Sequence, residues 1–270
     1  MKIKKNIKLL TTFALFISAA LPLSISHAGS FKEIRIATEA GYAPFEYTAP
    51  SGEIQGFNID IGNEVCKRLE AKCVWIDQSF DSLIPGLQAR KFDLANSTMT
   101  ATDARRKVID FSTPMYVVAS RLVAHKDKNL EPTVESLRGL RIGVQQGTTM
   151  ETYARKEWAP NGVEIVAYPS YTNAFTDLAT GRIDASFQEA PNAIDGFLTK
   201  PEGADFQLTG ATVKDSAILN EPIAIGIRKG NKELKAAVDE TIKAMIADGT
   251  IQAFTEKYFE PNTIELPSGH

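Results

Sequence analysis

Residues 96–106 read NSTMTATDARR, placing the hydroxyls of Ser97, Thr98, Thr100 and Thr102 just ahead of two arginines. Hydroxyls and backbone N–H groups at a helix start, beside an arginine that donates through two nitrogens, make a clamp for a carboxylate. Thr102 reads as the N-cap of that helix, with Arg105 as the clamp's cation. A second loop, QQGTTMET (145–152), repeats the theme. Gly147 permits close backbone approach, and Thr148 and Thr149 offer donors at another helix start. Two further loops are acidic: Glu39 precedes GYAPF, and Glu189 ends RIDASFQ. A carboxylate on each side of a cleft suits a ligand with two cationic groups. Tyr42 and Phe80 could sandwich an aliphatic or guanidinium arm, since aromatic faces attract cations. Each motif alone also has a plain reading. The threonines fit ordinary capping, Tyr42 and Phe80 fit core packing, and the glutamates fit a solvated surface.

The elements around these loops alternate. EIRIAT (33–38), VWI (74–76) and FDLAN (92–96) read as strands, and 59–71 and 82–90 as helices. LRIGVQ, ETYARKEW, GVEIVAY, YTNAFTDLAT and RIDASF then run strand, helix, strand, helix, strand. This is an α/β pattern with mainly parallel strands. The tail, 232–259, reads as two helices broken at Asp248-Gly249. EIRIATEAGY echoes GLRIGVQQGT, and LQARKFDLANSTM echoes LATGRIDASFQEA, in the same order. Two βαβ-type lobes of similar plan would produce this. In open α/β sheets ligands bind beyond the carboxyl ends of strands. Two facing lobes would bring EAGYAPFEY, NSTMTATDARR, QQGTTMET and FQEAPNA onto one cleft.

The start of the chain, with four lysines in MKIKKNIK, a short apolar run and small residues ending at Ala28, reads as a cleavable secretory signal peptide over 1–28. Its clean apolar part is about 12 residues, short of the roughly 20 that span a bilayer. Without those four lysines, 26 basic residues face 33 acidic ones, a net charge of −7. That argues against a general nucleic-acid or membrane-surface binder. His27, His125 and His270 are scattered, so neither metal nor cofactor is implied. Cys66 and Cys73 are the only cysteines. In one continuous helix their Cα atoms would lie roughly 10.5 Å apart, too far for a disulfide. If they pair, as export favours, the helix must stop between them.

GYAPFE, GFNIDIGNEVCKRL, DSLIPGLQARKFD, PTVESLRG, GVQQGTT, GRIDASFQ and ADGT, in that order, resemble the periplasmic solute-binding proteins of polar amino-acid ABC transporters. The similarity is to the lysine/arginine/ornithine- and histidine-binding group and runs over about residues 31–260. It implies a two-lobed type II periplasmic binding protein with its ligand cleft between the lobes. Lobe 1 would be discontinuous, 29–117 plus 222–270, and lobe 2 would be 118–221, with two hinge crossings. It implies a monomer binding a cationic L-amino acid unchanged, arginine first, then lysine, ornithine and histidine. The partners would be an inner-membrane permease and ATPase. By position, Arg105 with Thr98, Thr100 and Thr149 would receive the α-carboxylate and Glu189 the α-ammonium, with Ser97 and Thr148 also ligand-binding. Glu39 would meet the side-chain cation, and Tyr42 and Phe80 would stack on its arm. Cys66 and Cys73 match the family's disulfide. Glutamates stand at 39 and 189 where the family has aspartates, and Gln145 and Met150 also depart from it. The fold also hosts dehydratases, opine-binding proteins and sensors, which the residues alone leave open.

Overall fold

The computed structural model describes residues 31–267 apart from 216 and 220; the signal-peptide reading of 1–28 lies outside the described residues. Two five-stranded sheets carry the fold. The first runs Lys72–Asp77, Glu33–Thr38, Leu94–Ala95, Gly226–Ile227, Asp110–Phe111 from edge to edge. The second runs Glu164–Tyr168, Arg141–Gln145, Ala185–Glu189, Ser120–His125, Phe206–Val213. The expectation of mainly parallel strands needs one refinement. Each sheet is mixed, with a single reversed strand, Gly226–Ile227 in the first and Ser120–His125 in the second. These are the strands met just after the chain passes from one sheet to the other. The remaining strands end at the cleft, so a strand entering from the cleft side must run the opposite way.

The elements follow from their apolar spacing. The helix Phe57–Arg68 buries Phe57, Ile59, Ile61, Val65 and Cys66, with Asp60 in its first turn and Lys67 and Arg68 in its last, matching the helix dipole. It ends before the expected 71, because Glu70 takes a left-handed φ of 53° and turns the chain back. That turn brings Cys73, on the strand Lys72–Asp77, to a Cα–Cα distance of 5.7 Å from Cys66, and the two form a disulfide. Replacing both with alanine is expected to lower stability by about 2 kcal/mol, because the closed loop is short. Urea unfolding measures this, and an unchanged midpoint would contradict it. The tail forms Lys232–Ala247 and Thr250–Tyr258, separated at Gly249 with φ 80°. The longer helix buries Leu234, Ala237, Val238, Thr241, Ile242 and Met245, a single stripe of helical period. Phe45 joins these parts, its ring 6.0 Å from Tyr116 and 5.1 Å from Phe259.

Candidate functional site

The singled-out loops all leave the ends of strands and meet between the two sheets. Glu39 follows Glu33–Thr38, and Tyr42 lies on the short strand Gly41–Tyr42 that pairs with Glu46–Thr48. Phe80 opens a 3₁₀ turn beyond Lys72–Asp77, and Ser97, Thr98 and Thr100 follow Leu94–Ala95. Arg105 sits on the helical turn Asp103–Arg106, capped as expected by Thr102, whose hydroxyl accepts from Arg105 N. From the second sheet, Gln145 ends Arg141–Gln145, Thr148 caps the helix Thr149–Tyr153, and Glu189 ends Ala185–Glu189. All ten residues singled out as ligand contacts line one cavity. Glu46, Gln145 and Met150 line it as well.

Several contacts cross the cleft. The Tyr42 hydroxyl donates to Glu189 Oε2. Arg105 Nη2 donates to Gly147 O at 2.9 Å, while its Nη1 donates to Thr100 O at 2.8 Å. Asn192 Nδ2 donates to Ala43 O at 3.0 Å. Gly147, at φ 76°, abuts Asp81 so closely that an added Cβ would lie 3.1 Å from the Asp81 Cα. The absence of a side chain there is what lets the lobes approach.

The aromatic residues divide their work. The Arg105 guanidinium lies over the Phe80 ring, 5.4 Å from its centroid. Tyr42 instead packs between Phe45 and Tyr171.

The hydroxyls divide too. Thr148 donates to Gln145 O at 2.7 Å and accepts from Glu151 N at 3.1 Å, so it serves as a cap. The Ser97 and Thr98 hydroxyls both reach Glu46, at 3.1 and 3.0 Å. Thr149 Oγ1 meets the softer Met150 Sδ at 3.5 Å.

Burial sets the electrostatics. Glu39 is pushed up to about 7 by desolvation, opposed by a hydrogen bond from Gln145. Burial also raises Glu189, against the pull of Tyr42 and Arg105. Glu46 is raised well above the carboxylate range by burial, with the charge of Glu39 adding to the shift. Arg105 is lowered to about 10 by burial and so keeps its charge at neutral pH. Three carboxyls and one guanidinium thus share one small, largely buried space. Among the described residues, no group of three or more His, Cys, Asp or Glu side chains is placed to hold a metal ion.

Sequence reasoning left Glu46, Gln145 and Met150 out of the site. The departures at 145 and 150 were the available signal for two of them. Nothing local marks Glu46, whose burial depends on Asn58, Ser97 and Thr98.

The profile of the bacterial extracellular solute-binding proteins, family 3, matches residues 34–261. The chain belongs to this family. The family is one of solute-binding proteins, and the relatives below are named as binding proteins. The histidine-binding periplasmic protein of Escherichia coli K12 is 41% identical over 251 residues, covering 91% of this chain and 96% of the relative. The lysine/arginine/ornithine-binding periplasmic protein of the same strain is 41% identical over 237 residues, covering 88% and 91%. Among solved structures, an arginine-specific periplasmic binding protein of Salmonella typhimurium superposes with a TM-score of 0.79 at 31% identity, covering 85% of this chain and all of that one. An ancestral arginine-binding protein bound to arginine superposes with a TM-score of 0.78, also at 31% identity, covering 84% and 98%. The fold is therefore that of the type II periplasmic binding proteins.

Proposed function

We propose that this protein is the periplasmic binding component of an ABC importer for a cationic L-amino acid, arginine first, with lysine, ornithine and histidine next. The observation that carries this reading is the charge inventory of the cavity. Of the charged groups left for a ligand, Arg105 contributes one positive charge and Glu39 and Glu189 two negative ones when ionised, while Glu46 is committed to Ser97, Thr98 and Asn58. A ligand of net charge +1 brings the total to zero. A neutral amino acid leaves one buried negative charge uncompensated, which is costly. Arg105, the Ser97–Thr100 loop and Thr149 take the α-carboxylate. Glu189 takes the α-ammonium in exchange for the Tyr42 hydroxyl, and Glu39 takes the side-chain cation. The names of the relatives, for histidine, lysine, arginine and ornithine, lie within the same ligand class.

Residues 29–117 with 222–270 form one lobe and 118–221 the other. The two crossings pair with each other, Ile223 N donating to Tyr116 O at 2.7 Å and Met115 N to Ile223 O at 2.9 Å. Bending at this paired hinge opens and closes the cleft. The closed, monomeric protein then docks on its permease and ATPase.

Thermal unfolding of protein stripped of ligand by unfolding and refolding tests the assignment against the twenty L-amino acids, ornithine, citrulline, octopine and prephenate. A ligand at 1,000 times its Kd adds about 4.1 kcal/mol of stability. The cationic amino acids are expected to stand clear of the panel. Stabilisation by neutral amino acids alone would overturn the ligand class.

A further inference from the structure

We propose that Glu46 is a positioning residue for amino-acid binding: from beneath the cleft it holds the Ser97–Thr100 loop in the backbone conformation that receives the ligand carboxylate. The proposal rests on the head-group assignment above and adds the residue that makes it work.

The geometry is specific. Glu46 is 1% exposed. Its Oε1 receives Ser97 Oγ at 3.1 Å and Thr98 Oγ1 at 3.0 Å, and its Oε2 receives Asn58 Nδ2 at 2.7 Å. Asn58 is itself fixed. Its Nδ2 also donates to Thr98 Oγ1 at 3.0 Å, its Oδ1 receives the Tyr116 hydroxyl at 2.8 Å, and its carbonyl receives Asn96 Nδ2 at 2.6 Å. Ser97 Oγ accepts in turn from Glu39 N at 2.9 Å, so the same anchor reaches the loop that carries the second acid.

Thr98 has φ 42°. For a β-branched residue this is a rare, strained conformation that persists only when its surroundings enforce it. The side chain that enforces it is Glu46, which bonds Thr98 directly and through Asn58. Because the Ser97 and Thr98 hydroxyls are committed below the cleft, the loop's offering to an anion is its backbone N–H groups, beside the Arg105 guanidinium. Burial raises Glu46, and the hydrogen bonds donated to it by Asn58, Thr98 and Ser97 oppose that shift.

Calorimetric titration with L-arginine and with agmatine, which is arginine without the α-carboxylate, tests this. Unmodified protein should prefer arginine by at least about a hundredfold, the worth of a charge-assisted carboxylate clamp. If it binds both alike, the head-group reading fails, whatever Glu46 does. Glu46→Gln should fall between the unmodified protein and Glu46→Leu, because the amide oxygen still accepts from Ser97 and Thr98 while its NH2 group cannot accept from Asn58 Nδ2. Glu46→Leu should weaken arginine at least about thirtyfold while shifting agmatine less than about threefold. Adding Thr98→Gly to Glu46→Leu should recover about tenfold, since glycine takes positive φ without enforcement. Equal losses for both ligands, or no loss for arginine, would overturn the proposal. Circular dichroism verifies folding. If Glu46→Leu does not fold, Thr98→Val carries the test: it should cost arginine at least about fivefold with no matching loss for agmatine. An equal loss for both, or none, would likewise overturn it.

Discussion

Replacing Arg105 with alanine is expected to weaken L-arginine binding by about 3–5 kcal/mol, because it leaves the ligand carboxylate buried without its cation. That corresponds to two to three orders of magnitude or more in Kd, by about tenfold for each 1.4 kcal/mol. The unliganded fold should scarcely notice. Arg105 is lowered to about 10 by burial, which means its charge is tolerated rather than welcomed where it sits. Its bonds are to two backbone carbonyls, Thr100 O and Gly147 O, and to the face of Phe80, and no carboxylate among the described residues is in direct ion pairing with it. Thermal unfolding without ligand should therefore change by no more than about 1 kcal/mol. Arg105→Lys keeps the charge but loses the planar fork, and should fall between the two. Titration calorimetry decides the matter, and a Kd for the alanine variant within tenfold of the unmodified protein would remove Arg105 from the head-group site.

A second large effect is expected from pH. Glu39 stands at about 7 in the unliganded cleft against 4.5 for an ordinary glutamate. A raised carboxyl favours the folded arrangement fully below its ordinary value and loses that contribution as pH rises through 7. The unliganded, closed cleft is thus best satisfied in acid, where a proton neutralises Glu39. A ligand cation needs the carboxylate, so below pH 7 binding must release that proton. Arginine affinity should rise from pH 5 to pH 7 by about fiftyfold and flatten above it, gaining about twofold more. Arginine and lysine stay cationic throughout this range, so they are the ligands to use. Glu39→Gln should abolish the slope and weaken binding at pH 8. Calorimetry in buffers of different ionisation enthalpy counts the protons directly. Zero release at pH 6 would show that Glu39 does not face the ligand cation.

Much of the fold was legible because its signals are local. The stripe along Lys232–Ala247, the break at Gly249 and the strand at Glu33–Thr38 each follow from residues within one turn or one strand. The disulfide constrained the end of its helix, and Glu70 supplied the turn. The shared cavity was legible for a similar reason, since loops that leave strand ends must meet if the sheets face each other. The division of labour among the hydroxyls was not. Ser97, Thr98 and Thr148 all read as donors to a ligand, yet in the structure they serve Glu46 or a helix cap. A hydroxyl's partner is set by what packs behind it. Here that is Glu46 and Asn58, 52 and 40 residues from Thr98 in the chain. The contact of Gly147 with Asp81 and the bond from Asn192 to Ala43 likewise join segments that no local pattern connects.

The central claim is that Glu39 and Glu189 together demand a ligand with two positive charges. Its most direct test is titration calorimetry of ligand-stripped protein with L-arginine and L-citrulline at pH 8. Citrulline keeps the head group and nearly the shape of arginine but replaces the guanidinium with a neutral urea. Arginine is expected to bind at least about a hundredfold more tightly, the cost of leaving a buried carboxylate without its cation. Citrulline binding within threefold of arginine would contradict it.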